Sequence, residues 1–105
     1  MEFKKINVLK EAIETFGISA QVDMAIEEMS ELTKALCKER RIRLQFQPEH
    51  TKAQANVIEE IADVAIMLEQ LLIIFDKDNE IQKEVDYKID RLEQRLDVFQ
   101  KEARR

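Results

Sequence analysis

The chain is poor in turn residues, with one glycine, Gly17, and one proline, Pro48, in 105 residues. A sheet protein of this size needs more of both, so helices are the default expectation. A single cysteine, Cys37, excludes an internal disulfide framework and fits a reducing compartment. The longest apolar run, Leu71 to Phe75, is too short to span a membrane. The start, Met1-Glu2-Phe3-Lys4-Lys5, lacks the apolar run of a signal peptide. These absences lead to the expectation of a cytoplasmic protein with no membrane partner. Gly-rich phosphate loops, internal repeats and low-complexity tracts are also missing. A surplus of positive charge is missing too. The net charge of −5 argues against binding to a nucleic-acid polymer. It leaves a nucleotide substrate open, because metal ions can supply the positive charge.

What is present is apolar periodicity in a highly charged chain, 45% apolar and 37% charged. The length suits one compact domain, 1–105, and is too short for two. Ile6, Leu9, Ile13 and Phe16 recur at helical spacing, which predicts a short first helix from Ile6 to Phe16 stopped by Gly17. Ser19 is the expected N-cap of a second helix, about Ala20 to Arg40, with Val22, Ile26, Met29, Leu32 and Leu36 as its buried stripe. The cations Lys38, Arg40, Arg41 and Arg43 follow. They suit the negative end of the helix dipole, which is the plainer reading, or they attract phosphate. Ile42 to His50 reads as a linker, with Leu44 and Phe46 packing back onto the helices.

Thr51 and Gln54 have the form of a capping box opening a third helix, Lys52 to Phe75. Val57, Ile61, Val64 and Leu68 supply its inner face. Beyond Leu68 it is apolar nearly all round, which predicts a second subunit against it. Asn79 and Gln82 suggest another capping box before a fourth helix, about Glu80 to Ala103. There Ile81, Val85, Ile89, Leu92, Leu96 and Phe99 form a heptad-like seam. The expected architecture is therefore all-α: a four-helix bundle-like protomer that is oligomeric.

Two acidic turns stand out, Glu27-Glu28-Met29-Ser30-Glu31 and Glu59-Glu60-Ile61-Ala62-Asp63. Glu28 and Glu31 are three residues apart, as are Glu60 and Asp63, so each pair shares one helix face. An E-x-x-E alone means little, because Glu is a good helix former. Here the pattern is doubled, and both pairs abut an apolar stripe. Asp63 in mid-helix also costs stability unless it has a task. Four carboxylates brought together repel one another, and a hard divalent cation removes the objection. Patterning alone leaves metal binding and solvated acidic faces in balance. If a metal is bound, four carboxylates without histidine suit magnesium or manganese. Zinc would want Cys or His, and a ferritin-like di-iron site would need Glu-x-x-His. His50 reads as a surface or cap residue, and Cys37 as a small core residue.

Glu28-x-x-Glu31 followed by Glu60-x-x-Asp63 on the next long helix resembles the signature of the MazG-like all-α nucleoside triphosphate pyrophosphohydrolases. The flanking Ile26 to Leu32 and Ile58 to Val64 fit as well. The resemblance covers the second and third helices and extends to the fourth. It implies hydrolysis of an NTP or dNTP to the monophosphate and pyrophosphate, with magnesium held by Glu28, Glu31, Glu60 and Asp63. It also implies a dimer or tetramer. Basic residues of the last helix contact phosphates in such proteins, and Lys88 and Arg91 are the nearest counterparts here. One member of the carboxylate quartet is expected to act as both ligand and base, with Glu27 and Glu59 in supporting or surface roles. The rival reading is a non-catalytic helical oligomerisation module built on the fourth helix.

Overall fold

A computed structural model describes residues 1–45 and 49–104. The readings placed on Phe46 and Pro48, and the last residue of the tail, fall outside that set. Four helices account for most of the described residues: α1 Ile6–Phe16, α2 Ile18–Leu44, α3 His50–Phe75 and α4 Asp78–Ala103. No strand occurs among the described residues. The all-α expectation therefore holds. None of these helices is long and apolar enough to cross a membrane.

The first helix ends where its sequence pattern stops. The Gly17 amide donates to the Ile13 carbonyl oxygen at 2.9 Å. At φ 93° and ψ 154°, Gly17 adopts a positive-φ conformation that a side chain would disfavour. The same residue is the N-cap of α2, so α2 begins at Ile18 and Ser19 lies inside it. At its other end α2 continues through Ile42 to Leu44. No helix breaker intervenes before Pro48, and Ile42 is buried against the other helices. Leu44, expected to fold back, is instead exposed. Helix α3 starts at His50, so Thr51 is its second residue rather than its cap, and the Ala53 amide donates to Glu49. The capping box at Asn79 is likewise not formed. Lys77 is the N-cap of α4 without a side-chain bond, and Gln82 donates instead to Asp86 at 3.0 Å. Asp78 and Glu80 in the first turn suit the helix dipole.

The chain divides into two units, residues 1–75 and 76–105. In the first, α2 and α3 pack along their length and α1 lies on both. The buried line of α2 differs from the expected one. It runs through Gln21, Ala25, Ala35, Glu39 and Ile42, with Glu28 and Leu32 half-buried between them. That is a heptad spacing of four and three, shifted by one residue from the most apolar stripe. The matching line on α3 is Ala53, Val57, Glu60, Val64 and Met67. Alanines at Ala25, Ala35 and Ala53 on these lines leave little side chain between the two helices, and this favours close approach. The more apolar residues face out: Ile26 is 60% exposed and Ile58 66%. Met29, Leu36, Ile61 and Leu68 are exposed as well, as are Phe16 of α1 and Cys37.

The seam is closed by polar contacts at both ends. Gln21 Nε2 donates to Gln70 Oε1 at 2.6 Å, both residues being buried. At the far end the buried carboxylate of Glu39 meets His50 Nε2 at 2.9 Å and Arg43 Nε at 3.5 Å. The second unit is α4 alone. Its seam residues, from Ile81 to Phe99, are exposed.

Removing one partner of a buried amide pair leaves the other without its bond, at a cost of about 1–3 kcal/mol. Gln21→Ala is therefore expected to lower the thermal midpoint clearly. The double change Q21L/Q70L, which removes both polar groups, should recover most of the loss. Melting curves of the two variants and the parent protein check this.

Candidate metal centre

The packing of α2 against α3 decides where the acidic turns go. Glu28 lies on the buried line of α2, and Glu60 lies on that of α3. Asp63, one turn beyond Glu60, is more exposed. One carboxylate oxygen from each of Glu28, Glu60 and Asp63 falls within 4.8 Å of the other two. Residues 28 and 60 are far apart in sequence, so this convergence is a product of the hairpin. Glu31 is exposed and stands outside the trio. Its charge nevertheless reaches Glu60.

The electrostatics show the strain of this grouping. Glu28 is raised above its ordinary value of 4.5, first by burial and then by the charges of Asp63, Glu60 and Glu27. A hydrogen bond with the Asp63 carboxyl adds to the effect. Glu60 is raised as well, first by burial and then by Asp63, Glu31 and Glu59. Glu60 Oε2 is buried and has no hydrogen-bond partner. A buried carboxylate oxygen without a donor is costly, and a cation is one group that satisfies it. The residues present therefore fit a hard divalent cation: three carboxylates with oxygens in reach of one another, no His or Cys among them, and an orphaned oxygen on Glu60.

The remaining site residues fall elsewhere. Glu59, beside Glu60, lines a cleft on the α2–α3 hairpin. Lys88 and Arg91 belong to α4, the second unit. There the Arg91 guanidinium lies over the Tyr87 ring, 5.9 Å from its centroid, in a cation–π contact on one helix. His50 caps the buried end of the seam through Glu39, a role its lone position in the sequence does not reveal. The burial of Glu39 is not visible in the sequence, because nothing in a charged stretch marks one glutamate as buried. Its spacing of eleven from Glu28, on the heptad line, is the signal that could have found it.

No protein-family model matches the chain, and neither the curated proteins nor the solved structures contain a match to it.

The raised carboxyls set a pH dependence. The folded protein holds protons on Glu28 and Glu60 at pH values where the unfolded chain has lost them. Their contribution to stability is present below about 4.5 and is lost as pH rises through the folded values. The metal-free protein is expected to lose melting temperature as pH rises from 4.5 toward neutrality. The variant E28Q/E60Q should show a flatter profile over that range. Magnesium should raise the melting temperature of the parent protein at neutral pH and leave that of the variant unchanged.

Proposed function

We propose that the protein is a magnesium-dependent nucleoside triphosphate pyrophosphohydrolase of the MazG-like type, converting an NTP or dNTP to the monophosphate and pyrophosphate. The observation that supports it most directly is the meeting of Glu28, Glu60 and Asp63 from two helices, with a buried oxygen of Glu60 left without a partner. Glu31 completes the quartet of the family pattern, one turn after Glu28. These four residues would hold magnesium, with manganese as the alternative, and when bound it supplies charge neutralisation at phosphate oxygens.

The protein's own part follows from its chemistry. Hydrolysis between the α and β phosphates needs a water oxygen placed against the α-phosphorus and a base to take its proton. The bond from that phosphorus to the bridging oxygen breaks, and pyrophosphate leaves with the electron pair. A carboxylate of the quartet takes the proton. Lys88 and Arg91 are proposed phosphate contacts, by analogy with the family pattern. The outward-facing apolar residues of α2 and α3 support a homodimer or homotetramer.

A second reading, a non-catalytic helical interaction module, is favoured by one feature. The seam of α4 is exposed along its whole length and suits another helix. The two readings differ in their response to metal and nucleotide.

A panel of NTPs and dNTPs assayed for pyrophosphate release should identify at least one substrate turned over only with magnesium or manganese. Glu60→Ala and Asp63→Ala should each lower that rate by about 10²-fold or more. Turnover unchanged by either substitution would rule out the hydrolase reading. A melting temperature unmoved by magnesium and nucleotide, with no turnover, would favour the interaction module.

A further inference from the structure

The α2–α3 hairpin carries a cleft of about 820 Å³ beyond the carboxylates. Lys38 and Arg41 line it from α2, and Lys52, Asn56 and Glu59 line it from α3. It adjoins the acidic trio in sequence and in helical register. Glu59 is the neighbour of Glu60, and Asn56 lies four residues before Glu60, about 6 Å along the helix axis. Lys38 follows Glu31 by seven residues, and helical side chains lean toward their own N-terminus, here toward Glu31.

Three cations in one cleft are notable in a chain of net charge −5. None of the three forms an ion pair among the described residues, whereas the nearby Arg43 is paired with Glu39. Arg41 has an ordinary explanation, since it stands in the last turn of α2, where a cation suits the dipole. Lys52 has no such explanation. It stands in the first turn of α3, which has no acidic residue and where a cation opposes the dipole.

We propose that this cleft binds the terminal phosphates of the substrate, the part that departs as pyrophosphate, through Lys38, Arg41 and Lys52. The proposal rests on the pyrophosphohydrolase reading and names the direction in which the substrate lies. The polyphosphate tail points toward the α2 C-terminus and the α3 N-terminus, and the nucleoside points away from them. Departing pyrophosphate gains negative charge as the bond to the α-phosphorus breaks, and the three cations neutralise it. Asn56 offers an amide donor in the same cleft. Glu49 and Glu59 also line it and keep its net charge modest, so that the product can leave.

The test uses the full chain and the variant K38Q/K52Q, with Lys10→Gln as a control on the exposed surface of α1. Circular dichroism melts first establish that all three proteins fold. With any nucleotide the parent protein hydrolyses, K38Q/K52Q should raise KM about tenfold or more. It should weaken inhibition by inorganic pyrophosphate by a similar factor, and Lys10→Gln should do neither. If turnover occurs but KM and pyrophosphate inhibition are unmoved in K38Q/K52Q, this proposal fails and the hydrolase reading stands. If no nucleotide is hydrolysed, calorimetry with inorganic tripolyphosphate still decides the cleft. Binding to the parent protein that is lost in K38Q/K52Q supports it, and equal or absent binding in both overturns it.

Discussion

The close approach of α2 and α3 along a line of alanines and glutamates is the constraint on which the rest of the structure depends. With Ala25, Ala35 and Ala53 on the contact lines, little side chain separates the two helices. Glu28 and Glu60 lie on the same lines and are carried inward together. Their grouping with Asp63 is unfavourable as it stands, because burial and like charge both oppose ionisation. A helix pair built only for stability would place leucines at these positions. Carboxylates here cost stability, and their oxygens are of the kind that a divalent cation takes.

The same packing leaves the larger apolar residues of the hairpin facing outward. Ile26, Met29 and Leu36 on α2, and Ile58, Ile61 and Leu68 on α3, are exposed where a sequence pattern alone assigns most of them to the core. The hairpin is thus two-sided. One side is small and polar and holds the carboxylates, and the other is apolar. The Gln21–Gln70 hydrogen bond and the Glu39–His50 pair satisfy the polar groups at either end of the seam. Among the described residues, the one buried side-chain oxygen without a partner is on Glu60, a member of the trio. That concentrates the unsatisfied polarity of the described residues at one point, which is how functional sites commonly differ from their scaffolds.

Much of the fold was legible in the residues. Scarce glycine and proline, with apolar spacing of three and four, led to four helices, and the limits of α1 agree with its pattern from Ile6 to Phe16. Helix ends were less legible. Ile42 to Leu44 read as linker, yet they continue α2, since chain without a breaker extends a helix already nucleated. Thr51 and Asn79 looked like caps and are not, because side-chain capping competes with backbone bonds that start the helix earlier. Of the site, the candidate acids were legible as a pair of repeated spacings. The choice among them was not.

The sequence by itself determined the class of structure and the chemistry available: helices, and acids without histidine or cysteine beside them. Local periodicity and residue type contain that information, and neither depends on long-range contact. Only the tertiary structure decided which helix faces meet. A shift of one position rotates a helix face by about 100°. That rotation exchanged Ile26 and Met29 for Ala25 and Glu28 at the interface. The most apolar stripe is the natural choice when each helix is considered alone. Close packing of two helices rewards small residues instead, and that preference carried Glu28 and Glu60 inward and left Glu31 at the rim.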